Sequence, residues 1–213
     1  MPQHKTEYVN RKPEKNDYSK KAPANARRER KPPKKITPTY LHNSGLFYLE
    51  RFAASKKHFK TVMLRKSKRS CLYHTDQDYQ DCITMVDELA DKFEQCGLLN
   101  DALYTSSRVS SLRRKGLSQA AIIMKMLHKG ISKDETCLAL EKLDDEQYES
   151  AAEAEKAAAL RLARKKRIGP FFRGEEQDTK KSLGVFARAG FSYNIAIDII
   201  NMSADDIDEY HML

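Results

Sequence analysis

From Pro38 onward, apolar residues recur at the three- and four-residue spacing of helices that bury one face. Leu41, Phe47 or Tyr48, and Phe52 mark a first helix, and Phe59, Val62 and Met63 a short second one. A third carries the clearest stripe, Tyr79, Cys82, Ile83, Val86, Leu89, Ala90 and Phe93; Thr75 with Asp78 reads as its capping box and Gly97 as its stop. The pattern restarts at Asn100 or Asp101, short side chains suited to an N-cap, and pauses near Gly116. Ser118 then caps a helix with Ile122, Ile123, Met126 and Leu127 that ends at Gly130, and Ser132 with Glu135 opens another reaching about Leu143. The longest helical signal runs from about Asp145 to Arg167, until Gly169-Pro170 breaks it. Asp178 caps a helix through Leu183 and Phe186 that stops at Gly190, and Ser192 opens the last, with Ile195, Ala196, Ile199 and Ile200 inward.

Two echoes organise these elements. Leu99-Asn100-Asp101-Ala102-Leu103-Tyr104 returns as Leu143-Asp144-Asp145-Glu146-Gln147-Tyr148, each copy read as opening a helix, and Gly130-Ile131-Ser132 returns as Gly190-Phe191-Ser192. Self-similarity over tens of residues is the signature of stacked supersecondary units. The predicted fold is all-α: three tandem three-helix, helix-turn-helix-like repeats at 37–98, 99–143 and 144–213, forming an elongated, curved array. A disordered basic tail over 1–36 precedes them, since its prolines, Lys and Arg supply too little apolar surface to offset the entropy of ordering. The echoing Tyr104 and Tyr148 read as packing anchors one turn into their helices.

Charge sharpens the picture. The chain carries a formal +9, and the first 35 residues alone hold twelve bases against four acids. The stretch Arg27-Arg28-Glu29-Arg30-Lys31-Pro32-Pro33-Lys34-Lys35 fits three readings: a nuclear-import signal in a eukaryote, an arm contacting phosphates, or a solubilising tail. Four cysteines without a Cys-x-x-Cys pair sit among apolar positions, as free, buried thiols do in a reducing compartment. No apolar run is long enough for a membrane span and the N-terminus has no signal core, so a cytoplasmic protein is expected.

Catalytic patterns are missing: the sequence has no phosphate-binding Gly-rich loop, no His-Glu-x-x-His and no Gly-x-Ser-x-Gly. A non-enzyme without catalytic residues, metal or cofactor is therefore expected. Cys71-Leu72-Tyr73-His74 lacks the second ligand pair of a structural zinc site, and His58 and His128 beside basic residues read as neutral surface histidines.

Binding chemistry is better represented. Each repeat has an acid-poor basic block: Lys56, Lys57, Lys60 and Arg65 in the first; Arg108, Arg113, Arg114 and Lys115 in the second; Arg161, Arg164, Lys165, Arg167 and Arg173 in the third. Stacking would align these blocks toward a DNA-bearing or acidic protein surface. Phe171-Phe172, between Pro170 and Arg173, is either a staple for the long helix or an exposed partner anchor.

In order and spacing, Tyr48-Leu49-Glu50-Arg51-Phe52-Ala53-Ala54-Ser55, Gly97-Leu98-Leu99-Asn100-Asp101, Lys129-Gly130-Ile131 and Arg188-Ala189-Gly190-Phe191-Ser192-Tyr193 resemble the RecX family of bacterial regulators. Arg167-Ile168-Gly169-Pro170-Phe171 resembles the alphaproteobacterial version. The basic tail, Phe59 and Thr136 depart from that pattern. The resemblance implies a monomeric all-helical protein that binds the RecA recombinase, along its filament on single-stranded DNA, and restrains its ATPase and strand-exchange activities. Two alternatives remain: a nucleic-acid-binding helical module acting through phosphate contacts independently of RecA, and an adaptor for an unrelated acidic protein.

Overall fold

The computed structural model describes residues 32–203 and 205–207; residues 1–31 of the predicted tail lie outside them. The described residues form nine α-helices and no strand. Short polar side chains start them. Thr37 accepts from the Tyr40 N–H at the head of α1 (Pro38–Leu49), where Pro38 occupies the first turn and its missing N–H leaves no bond unmade. Ser55 caps α2 (Lys56–Cys71) and Asp78 caps α3 (Tyr79–Gln95).

Asn100 caps α4 (Asp101–Arg114), Ser118 caps α5 (Gln119–Leu127), and Ser132 with Glu135 forms a complete capping box on α6 (Lys133–Asp145). Ser150 caps α7 (Ala151–Lys166), Asp178 caps α8 (Thr179–Arg188) and Ser192 caps α9 (Tyr193–Asn201).

Several expectations need correction. Phe52 lies beyond the end of α1 and is 57% exposed, and α2 is a full 16-residue helix. Asp78 alone accepts at the head of α3, so Thr75 is not part of its cap. The second copy of the Leu-Asn-Asp echo does not open a helix. Asp144 still belongs to α6 because its carboxylate is drawn inward to Arg113, and Tyr148 sits in the connection before α7. Residues 33–36, read as tail, are docked: Ser70 donates to the Lys34 carbonyl, Gln77 exchanges two bonds with Ile36, and Ile36 is buried. Cys96 is exposed rather than core, while Cys82 is fully buried; all four cysteines are free.

The buried side chains form three clusters. The first, around Leu41, Phe59, Val86 and Phe93, joins α1–α3. Gly45 of α1 lies so close to Phe93 and Phe59 that a Cβ there would come within 2.8 Å of the Phe93 ring. The second, around Val109, Ile122, Met126 and Leu140, joins α4–α6; the third, around Ala158, Phe186 and Ile199, joins α7–α9.

Two junctions tie these groups with the same pair of bonds. Where α1–α3 meet α4–α6, the Ser55 hydroxyl donates to the Lys129 carbonyl and the Lys56 N–H donates to Asp101 Oδ1 at 2.7 Å. Where α4–α6 meet α7–α9, the Ser118 hydroxyl donates to the Ala189 carbonyl at 2.6 Å and the Gln119 N–H donates to the Glu155 carboxylate at 3.1 Å. In both, the residue after the accepting carbonyl is a glycine, Gly130 or Gly190, with a φ of +82°. The left-handed turn and the close approach both demand it: a Cβ on Gly130 would enter the Lys57 side chain, and one on Gly190 would stand 2.7 Å from Ser118 Oγ.

Candidate interaction surface

The basic blocks divide by what faces them. Lys56 points at α3, pairing with Asp91 at 2.8 Å and Glu94 at 2.7 Å, and these hydrogen-bonded carboxylates hold its pKa well above the usual lysine value. Lys60, one turn on, pairs with Asp87 at 2.8 Å. These two lysines fasten α2 to α3, a consequence of their i, i+4 spacing on the helix side that meets an acidic neighbour.

Arg113 requires the largest correction. Its side chain is 4% exposed and reaches Asp144 in a two-pronged bond, Nε to Oδ1 at 3.1 Å and Nη2 to Oδ2 at 2.7 Å, while Nη1 donates to Glu155 at 2.5 Å. Burial works against its charge, but the bonds to Asp144 and Glu155 outweigh that and raise its pKa. Arg113 thus joins α4, α6 and α7 internally and is no part of an exposed block. A planar guanidinium with five donors suits this three-way role, whereas a lysine could not match the two-pronged carboxylate.

Other cations remain outside. Lys57 and Arg65 are exposed along α2, Arg114 and Lys115 at the end of α4, and Arg164, Lys165, Arg167 and Arg173 at and beyond the end of α7. Arg161 is half-buried, lying over the Tyr148 ring and donating to its hydroxyl at 2.5 Å, so Tyr148 is tied from outside the helix to the later half of α7. Arg161 also brings two blocks together, because a Cβ on Gly116, next to Lys115, would meet Arg161 Cβ at 3.0 Å. The block on α2 is not joined to them by any described contact. Phe171 packs on the third cluster, while Phe172 is 37% exposed and covers Gly174; the pair divides between the two predicted roles.

At the first junction lies a groove of about 750 Å³ that takes in Arg108 of the second block and that charge runs along the sequence did not locate. Its basic side is Arg51, Arg108 and Lys129 with the imidazole of His58 among them, and none of the described residues lining it is acidic. Lys129 Nζ lies 3.1 Å from His58 Nε2, and burial together with the Lys129 and Arg65 charges lowers the His58 pKa. Its apolar side includes Phe52, Leu98 and Leu103, respectively 57%, 48% and 68% exposed. A shallower shelf of Leu46, Phe47, Leu49, Leu98 and Glu50 continues it, and Arg51 stacks on Phe47 with 4.2 Å from guanidinium carbon to ring centre.

Among the described residues no cluster of His, Cys, Asp or Glu is placed to hold a metal, and no helix is long and apolar enough to cross a membrane. His74 instead lies 2.9 Å from the Pro33 carbonyl, and Cys71 sits 3.6 Å from Cys82, sulfur to sulfur.

Comparison with known proteins decides the family. The chain is 37% identical over 180 residues to a regulatory protein RecX from Myxococcus xanthus, an alignment covering 82% of this chain and 92% of that protein. It belongs to the RecX family. A RecX of Agrobacterium fabrum is 24% identical over 80% of the chain and 87% of its own length, and one of Streptomyces coelicolor 27% identical over 58% and 62%. No family model matches the chain, and no solved structure matches it significantly. Three of the segments that carried the RecX resemblance meet at the groove, and a fourth lies at the other junction. Tyr48, Leu49, Arg51–Ala54, Gly97, Leu98, Asn100 and Lys129 contribute most of the groove lining, and Ala189-Gly190 lies at the second junction.

Proposed function

We propose that this RecX-family chain is a non-enzymatic regulator of the RecA recombinase that binds its filament on single-stranded DNA and restrains ATP hydrolysis and strand exchange. The observation that carries the reading is the alignment with a regulatory protein RecX over 92% of that protein's length. Helical groups held by repeated junctions give several modest contacts on one chain, and linking contacts makes each later one effectively intramolecular. Bridging filament subunits in one conformation shifts the population away from the others that turnover requires. The contact residues in this reading are the exposed cations Lys57, Arg65, Arg114, Lys115, Arg164, Lys165, Arg167 and Arg173, together with Phe172.

The test is RecA ATPase and strand exchange on single-stranded DNA with increasing amounts of the full chain. Inhibition that saturates supports the reading; unchanged rates with the chain in excess refute it. The exposed cations also favour a second reading, phosphate binding without the recombinase. That reading requires DNA affinity in the absence of RecA, with log affinity falling by about 0.9 per phosphate contact as log salt rises.

A further inference from the structure

Phe52, Leu98 and Leu103 present a problem that packing does not solve. Each keeps about half or more of its surface in water, yet all three line one groove whose remaining wall carries Arg51, His58, Arg108 and Lys129 without a carboxylate. Arg51 and Arg108 have no ion-pair partner among the described residues, unlike Lys56, Lys60 and Arg113. An exposed apolar patch rimmed by uncompensated charge marks a binding surface, and Arg beside aromatic residues is the composition of interface centres.

We propose that this groove docks an acidic protein segment bearing large apolar anchor residues. Its carboxylates would meet Arg51 and Arg108, and its anchors would cover Phe52, Leu98 and Leu103. A nucleic-acid strand fits less well. Leu98 and Leu103 offer aliphatic surface rather than a stacking face, and the two exposed rings are already engaged on one side, Phe52 with the Tyr48 ring 5.4 Å away between centres and Phe47 with Arg51. Three of the segments on which the family resemblance rests meet here, although the core requires neither Phe52 nor Leu98 to be apolar. Assigning the docked segment to the recombinase rests on the functional reading above; the chemistry of the groove does not.

The experiment selects a random peptide display library on the immobilised full chain and counter-selects it on the Arg51→Glu/Arg108→Glu variant. The expected survivors combine Asp or Glu with Leu, Ile or Phe, and bind the wild type ~10-fold or more tightly than either that variant or Phe52→Ser/Leu103→Ser. The replaced side chains are exposed or at the groove wall, and unchanged circular dichroism certifies the fold; if the apolar pair misfolds, the charge pair alone gives the answer. Survivors without acidic enrichment, or survivors that bind both variants like the wild type, overturn the proposal. So does a single-stranded oligothymidine that alone depends on Arg51 and Arg108. Against RecA filaments, wild-type binding that both variants retain removes the groove and leaves the functional reading. Filaments that ignore the wild type remove the functional reading, while the peptides still decide the groove.

Discussion

Arg113 and Arg114 are adjacent and chemically identical, yet they have opposite roles. Arg113 lies on the inward line of Thr105, Val109 and Leu112, where the helix turns it toward Asp144 and Glu155; Arg114 is rotated into solvent. That i, i+4, i+8 spacing was readable, but its meaning depended on acids 31 and 42 residues away, which local pattern does not locate. Truncating one member of a buried ion pair leaves the other charge stranded. Arg113→Ala is therefore expected to lose about 3–5 kcal/mol in urea denaturation, whereas Arg114→Ala falls within about 0.5 kcal/mol of wild type. Charge reversal of the two arginines together would report unfolding rather than binding. Arg164 and Lys165, both exposed, are the pair to reverse: helical content should hold while filament affinity falls.

His58 gives a pH signature at the same scale. Its folded pKa lies below the ordinary histidine value, from burial first and then from Lys129 and Arg65, so the unfolded chain takes up the proton more readily. Stability is thus intact above the unfolded value and falls as pH drops through it toward the folded one. Wild type should lose more unfolding free energy than His58→Gln between about pH 7.5 and about pH 5.5. Equal losses would show that the imidazole does not feel those cations.

At the scale of elements, start signals were legible where the chemistry is local. Ser118, Ser132 with Glu135, Asp178 and Ser192 cap the helices that the sequence assigned to them, because a short acceptor reaches an N–H two or three residues ahead without outside help. The Asp144 region was misread for the converse reason: an aspartate suited to a cap was claimed by a distant arginine, and α6 ran on. One of the correctly read caps has a further task that sequence does not display. Ser118, like Ser55, caps its own helix and also donates to the carbonyl of a neighbouring group. Ser192→Ala should cost about 1 kcal/mol in thermal denaturation, the loss of a cap. Ser55→Ala and Ser118→Ala should each cost more, since a partner carbonyl is also left unsatisfied.

For the molecule as a whole, the junctions decide whether the helical groups unfold together. In linear arrays, cooperativity comes from the interface between neighbours rather than from each unit alone. The double variant Ser55→Ala/Asp101→Ala removes both bonds of the first junction while leaving all three apolar clusters intact. It should broaden or split the denaturation curve, with probes in α1–α3 separating from those in α7–α9; one sharp coincident transition would show that apolar contact alone couples them. The candidate surface was only partly readable at this scale. Charge runs were visible along the chain, but the groove draws on residues from 48 to 129, and its apolar members resemble core residues until the fold leaves them outside.

The paired junction also contains its own stop. A serine hydroxyl can accept from its helix and donate onward at once, so each such cap is a socket for the next group. The corresponding cap of the third group is Asp178, at the head of α8. An ionised carboxylate accepts but has no proton to pass on, so the same coupling cannot propagate from there. For anyone building longer arrays from this protein, Asp178→Ser is the change that would reopen the growing end.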